Sequence, residues 1–492
     1  MASISSLGIG SNLDLASLLD KLKSAEQLPL VALQNQQKSY TTKLTAYGQL
    51  NSALSALQTA AAALAKPALY QGVKATSSAT DVVTASALST ATSGTYALNV
   101  TKLTQAQSLA ATGVENTTDA IGDGITVTKV QFEFGTTSGA LFTPDADPTR
   151  TKSIDIDPAH SSLADIAKKI NDTADLGVTA SIVNDGSATP YRLVLTSKQT
   201  GEASSMRIKV SGDPADLVNP NGDPALSSLL THDPAGQKLQ QTVAAQNTEF
   251  TVNGIDITSA TNTVTGAIQD VTMTVAKLGA STLSVQNDTA SVGNAIATFV
   301  NAYNNLQGVS KQLTAFDATS KSGAVLLGDS TLRNIQVGIR SALTTAQTDD
   351  GSGLTMLSQI GVTFEKDGTL AIDSTTSKTA NPVKLGAVLS SNLSGVANLF
   401  SGGTGGFGTQ LSSLITSYTD TTNGTLTAAT KGINKTLDSL GKQFTAMSDR
   451  VDSTVARYKA QFTALDVLIS SMNQTSSYLT QQFDALNNTS KN

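Results

Sequence analysis

The side chains able to do chemistry in this 492-residue chain are few and poorly grouped. Asp155 and Asp157 alternate within SIDID, so on a strand both carboxylates share one face, as a pair doing acid and base work would. The plainer reading, a solvated strand edge, is preferred. The two histidines, His160 and His232, each lack a neighbouring second metal ligand and read as surface residues. Asp349-Asp350-Gly351 offers oxygens to a calcium ion, yet lacks the spaced ligands of an EF-hand loop and reads as a turn. Gly8 and Gly10 suggest a phosphate loop, but a dinucleotide fingerprint needs a preceding strand and a third glycine where Leu13 stands. The nucleophile elbow, the zinc-protease motif and the P-loop are all missing from the sequence. With no cysteine there is no disulfide, thiolate metal site or cysteine nucleophile. The residues therefore predict no enzyme, no cofactor and no metal. A secreted polysaccharide-acting enzyme would rest on Asp155 and Asp157 alone.

Composition narrows the class. The formal net charge is -6 and no Lys/Arg cluster occurs, so the counterion-release term behind nucleic-acid binding has no source. Charged residues make up 14%, against about 25% in typical domains. The surface must then be largely Ser, Thr, Asn, Gln and Ala, which suits polymer contacts. No stretch approaches the roughly 18 apolar residues of a membrane span. No Lys or Arg precedes Lys21, and Asp14 and Asp20 interrupt the apolar pattern, so the opening stretch does not read as a cleaved signal. It reads as a Ser/Gly tail entering a helix capped by Ser11, with Asp14 in the capping-box position. Leu15, Leu18, Leu22 and Ala25 give that helix an apolar face, and Pro29 is expected to interrupt it. So short a helix should order only against a partner.

Longer elements must position these groups. From Ile433 through Leu437, Leu440, Phe444, Met447, Val451, Val455, Tyr458, Phe462, Leu465, Ile469 and Met472, then past a polar Ser476 to Leu479, Phe483 and Leu486, seam residues recur in steps of three and four. That is a coiled-coil seam, on a helix of about 80 Å that needs a second helix or a neighbouring subunit to cover it. Leu33, Tyr40, Leu44, Tyr47, Leu54 and Leu57 supply a matching N-terminal repeat, so the two chain ends are expected to pack together. Gln37 and Asn51 occupy polar seam positions, either as buried amides that set register or as solvent-facing slips.

Between Val73 and Val285 the pattern alternates, as in GTYALNVTKL, ITVTKVQFEF and VTMTV, and predicts strands. Asn253-Gly254 marks a two-residue type I′ hairpin. One short helix at Ser161 to Asn171 carries a capping box from Ser162 to Asp165. Gly212 to Pro224 reads as an exposed loop, Gly361 to Asp373 as a hairpin turning at Asp367-Gly368, and Ser401 to Gly408 as a flexible hinge. The expected fold class is α+β: a helical, coiled-coil stalk formed by both termini, with inserted β-rich head domains. The expected divisions are an N-terminal leg (1–42), a helical bundle (43–74 and 289–430), an inner β domain (75–111 and 247–288), an outer β-rich head (112–246) and a C-terminal leg (431–492).

Several long segments in order resemble the flagellar hook-associated protein 2 family, the flagellar filament caps. They are ISSLGIGSNLDLASLLDKL, VTASIVNDGSATPYRLVLTSKQTG, LLGDSTLRNI, IGVTFEKDGTLAID and MNQTSSYLTQQFDALN. The resemblance spans nearly the whole chain and is weakest over Thr112 to Gln246 outside the second segment. It implies a secreted, non-enzymatic protein at the distal tip of the bacterial flagellum, exported by the flagellar type III apparatus without a cleaved signal. Implied partners are flagellin, hook-filament junction proteins, a cytoplasmic export chaperone at the C-terminus, and further copies of itself in a ring-like, pentamer-like homo-oligomer. As a second role it implies an adhesin whose head binds host mucin or glycans. The residues expected to carry assembly are Leu15, Leu18 and Leu22 at one end and Leu465, Ile469, Met472, Leu479 and Phe483 at the other.

Overall fold

The computed structural model describes residues 13–213, 221–236, 238–349, 351–373, 384–403 and 405–489. Its helices are α1 (Leu15–Leu64), α2 (Leu163–Asp172), α3 (Pro224–Leu230), α4 (Thr289–Thr314), α5 (Ser330–Thr344), α6 (Leu385–Ser391), α7 (Leu393–Ser401), α8 (Phe407–Thr419) and α9 (Thr425–Thr489). The chain divides into two compact units, Met1–Tyr70 with Thr289–Asn492, and Gln71–Asp288. The fold is α+β, with long terminal helices and a β-rich middle.

In the first unit α1 lies along α4, α8 and α9. Leu50, Leu54, Leu57 and Leu64 of α1 are buried with Ile296, Phe299 and Tyr303 of α4, Ile335 and Ile339 of α5, and Leu411 and Ile415 of α8. The 3.6-residue period brings these positions to one face of each helix, and that shared apolar area holds the bundle together. Pro29 does not end a helix: α1 runs unbroken through it. The side chain of Pro29 is exposed, so the carbonyl its missing N–H leaves free faces water, and packing along α9 maintains the helix on both sides. The N-cap is Asp14, whose carboxylate accepts from the Ser17 N–H at 3.1 Å; Ser11 lies outside the described residues. Asn51 is exposed, a solvent-facing slip in the pattern, whereas Gln37 is half-buried.

Of the segment Ser401 to Gly408, expected as a hinge, Thr404 lies outside the described residues, and the C-terminal end is packed. Phe407 is buried beside Phe400, their ring centroids 6.5 Å apart. A Cβ on Gly408 would stand 2.7 Å from the Ala61 carbonyl oxygen. That glycine serves close approach of α8 to α1, not flexibility. The Gly361 to Asp373 hairpin forms as strands Val362–Phe364 and Leu370–Ile372, with Gly368 at φ 88° in the turn.

The second unit holds two hydrophobic cores. In the inner one, an antiparallel five-stranded sheet runs in the order Val73–Ser77, Gly279–Asn287, Gly94–Lys102, Thr248–Val252, Ile255–Ser259. It shares a core with the three-stranded sheet Thr263–Ile268, Val271–Val275, Val83–Ala87: Leu98, Val100, Phe250 and Leu283 meet Val264, Met273 and Val275. Asn253 and Gly254 turn the expected hairpin with φ 51° and 83°, as a type I′ turn requires. Val73 pairs with Asn287, and the Asp288 N–H donates to the Gly72 carbonyl at 2.8 Å.

The outer core lies between two four-stranded sheets and helices α2 and α3, and buries Phe132, Ile154, Ile166, Leu193, Met206 and Leu229. The Ser162 hydroxyl caps α2, accepting from the Asp165 N–H at 3.2 Å and donating to its carboxylate at 2.6 Å. Helix α3 was not expected. Of the predicted exposed loop, 214–220 lie outside the described residues, but Asp213 and Asp223 are buried, and Asp223 caps α3 through the N–H of Ala225 at 2.7 Å. Pro224 at the first helical position is pre-set for a helix start, a signal that reads as a loop when scanned for breakers alone.

Candidate functional site: the paired terminal helices

Helices α1 and α9 run antiparallel. The C-terminal part of α1 shares its core with Leu426 and Ile433 at the start of α9, and further along the Tyr458 hydroxyl donates to the Glu26 carboxylate at 3.2 Å. Equal rise in both helices then sets Leu19 opposite about Leu465 and Leu15 opposite about Ile469. Leu15 and Leu19 are buried, at 5% and 2% exposure, although both stand within the first helical turns.

The expected assembly residues divide at this point. Leu15 is covered, Leu22 and Ile469 are half-buried, and Leu18 and Leu465 are exposed. Beyond Ile469, α9 continues where α1 no longer reaches. Met472 is 62% exposed, Leu479 49% and Phe483 64%, and every side chain from Ser471 to Ala485 is exposed. From Ile469 to Phe483 the helix advances about 21 Å with apolar groups on successive turns and no cover from the chain's own described residues. Helices this amphipathic are stable in water mainly through what they pack on. The arrangement leaves an apolar stripe on the end of α9 open to its surroundings.

Two polar partnerships of this unit were not anticipated from sequence. Tyr458 and Glu26 fix the register of the helix pair. In the bundle, Asp329 ties α1 to the start of α5: its carboxylate takes the Lys43 ammonium at 2.7 Å, the Tyr47 hydroxyl at 2.8 Å and the Leu332 N–H at 3.0 Å. Burial of Asp329 works against its charge, but these donors outweigh burial and hold its carboxyl below the ordinary value. An aspartate directly before Ser-Thr-Leu was a legible cap signal; the partners on α1, of which Tyr47 lies 282 positions away, were not.

The remaining chemical candidates resolve into structure. Asp155 is exposed on the strand Thr151–Ile156, and exposed Asp157 caps a short 3-10 turn through the Ala159 N–H at 2.9 Å. Asp349 accepts from Gly351 and Gly353 N–H groups as a turn does; Asp350 lies outside the described residues. His160 is exposed, but His232 is not the surface residue expected: it is 1% exposed. Its backbone forms a two-bond bridge with Ile208, which draws its ring inward beside the apolar core. Burial pushes its pKa down, opposed by the Leu239 backbone and Asp233. Among the described residues no cluster of His, Cys, Asp or Glu could hold a metal ion, and no helix is long and apolar enough to cross a membrane.

Residues 11–107 match the model described as flagellar hook-associated protein 2 N-terminus, and residues 245–474 the corresponding C-terminus. Residues 148–199 match the flagellin hook IN motif. Flagellar hook-associated protein 2 of Escherichia coli (strain K12) is 41% identical over 499 residues, a span of 98% of this chain and 99% of that protein. The chain belongs to the flagellar hook-associated protein 2 family. A second family member, from Salmonella typhimurium, is 38% identical over 504 residues, covering 99% of this chain and 100% of its own length. Among solved structures, the D1-D2-D3 domains of the flagellar cap protein FliD from Escherichia coli match with a TM-score of 0.55 and 35% identity, covering 79% of this chain and 99% of that one. The family's N-terminal model covers all of α1, and its C-terminal model covers α9 as far as residue 474. The names of these family members give no support to the adhesin reading.

Proposed function

We propose that this chain caps the distal end of the flagellar filament, holding the tip as a homo-oligomer and promoting the folding and insertion of incoming flagellin so that subunits are not lost to the medium. The role is structural and belongs outside the cell, at the filament tip. The observation that carries the reading is the uncovered apolar end of α9 in a chain whose relatives are named for the hook and the cap. Leu465, Ile469, Met472, Leu479 and Phe483, with Leu18 and Leu22 of α1, form the surface offered to flagellin, to hook-filament junction proteins or to neighbouring copies. A ring of about five copies, export through the flagellar type III apparatus and shielding of the C-terminal helix by a cytoplasmic chaperone complete the proposal. An exposed apolar helix end is a liability before assembly, which supports the need for such shielding.

The test is the double substitution Leu479→Asp and Phe483→Asp. Fully burying one such side chain contributes about 1.5 to 3 kcal/mol. Both are already about half exposed, so covering them contributes about half of that each, roughly 2 to 3 kcal/mol together, and the carboxylates add a desolvation cost. The variant should be exported and folded, while cells shed unpolymerised flagellin and lose swimming. Normal filaments and swimming in this variant would remove the assembly role from α9.

A further inference from the structure

Two strands cross between the inner and outer cores of the second unit, one through Thr104 and Gln105 and the other through Gln246. Such a two-strand connection bends readily unless something fixes it. Here Thr104 faces four acceptors with two protons: its N–H is shared between the Thr248 hydroxyl at 3.0 Å and the Asn262 side-chain oxygen at 3.1 Å, and its single hydroxyl proton between the carbonyls of Gln246 and Ala260, both at 2.9 Å. Gln105 and Gln246 bridge each other through both backbone bonds. The outer core then reaches back. Thr200 donates its hydroxyl to the same Ala260 carbonyl at 2.7 Å, and the Glu202 N–H donates to the Asn247 side chain at 2.9 Å. The Ala260 carbonyl oxygen, which has two lone pairs, is thus within reach of the shared Thr104 proton from the connector and takes the Thr200 hydroxyl from the outer core. Between these bonds sits Gly201 at φ 93°, where a Cβ would lie 2.7 Å from the Ala260 Cβ. Only glycine lets the two parts close this far.

We infer that this junction is a latch, in which Thr200 and Glu202 of the outer core clasp Ala260 and Asn247 of the inner core and fix the angle between them. The clasp bonds are exposed to solvent, where water competes for each. The latch is therefore closed at rest and can be opened, which turns a rigid lever into a hinged one. It goes beyond the capping role and does not depend on it.

The absence of cysteine makes the test clean. Spin labels on cysteines placed at exposed Ser187 of the outer core and Asp256 of the inner core report the distance between them in the full-length chain. The native background should give one narrow distance distribution. Thr200→Ala with Asn247→Ala, which removes side-chain acceptor and donor without changing the backbone, should lose the single peak and give a broad distribution. Gly201→Val should shift the mean outward, with unchanged far-UV circular dichroism as the control for folding. A broad distribution in the native background overturns the latch. So does a Thr200→Ala/Asn247→Ala protein that folds and keeps the native narrow peak.

Discussion

Replacing Asp329 separates the three tasks of one carboxylate. Asp329→Ala removes the cap of α5, worth about 1 kcal/mol. It also leaves the part-buried Tyr47 hydroxyl without its acceptor, at about 1 to 2 kcal/mol. The Lys43 ammonium is a third exposed, so it returns to water and its loss costs at most about 1 kcal/mol. The sum, reduced for coupling among neighbours, is about 3 kcal/mol. Asp329→Asn keeps an oxygen for the Leu332 and Tyr47 donors and loses only the charge, at about 1 kcal/mol. Because the chain has two compact units, a single unfolding midpoint would mix them. Amide exchange at the start of α5 isolates the effect: about 100-fold faster in Asp329→Ala, and about fivefold in Asp329→Asn. The acid dependence follows the same logic. The folded carboxyl is held below its ordinary value, so the stabilisation is complete above that value and is lost as pH falls through the folded one. Equal exchange rates in the two variants, or changes under threefold in both, would refute the argument that a buried triad ties α1 to α5.

His232 should make the outer core acid-sensitive. Its pKa is lowered by burial, so its contribution is complete above the ordinary histidine value and falls away below it; protection factors of strand Ser205–Val210, corrected for the intrinsic pH dependence of exchange, should fall between pH 7.5 and 5.5, and His232→Leu should abolish that difference. An unchanged pH response in the variant would show that another group is responsible. The segment Gln71–Asp288 contains both β cores and their connecting strands, so as a separate fragment it should give a cooperative thermal transition by circular dichroism, and a random-coil spectrum would contradict its independence.

Local chemistry was legible and distant chemistry was not. Asn253-Gly254 and Ser162 act on neighbours within four residues, so the turn and the cap could be read directly from their spacing. The seams of α1 and α9 were legible because a buried helical face repeats along the chain. Pro29, Gly408 and His232 were misread for one common reason. Each takes its meaning from something far away in sequence: the length of α9 that supports α1, the Ala61 carbonyl that α8 approaches, the core beside Ile208. The run of the apolar seam to Leu486 was visible in sequence, but where cover stops could be judged only once Glu26 and Tyr458 set the register of the pair.

The bond from Asp288 to Gly72 has a kinetic side. Helices α1 and α4 pair within one unit, yet roughly 220 residues separate them, and closing so long a loop is slow and entropically unfavourable. Once Val73–Ser77 is laddered to Gly279–Asn287, the same two helices are joined in effect by a handful of residues. That shortening amounts to about five halvings of the loop, or about 3 kcal/mol of closure entropy. The helical unit is thus a late event that the β ladder makes possible, and pulse-labelled refolding should protect the amides of Val73–Ser77 before those in the second half of α1; protection in the reverse order would show that the bundle closes without the ladder's help.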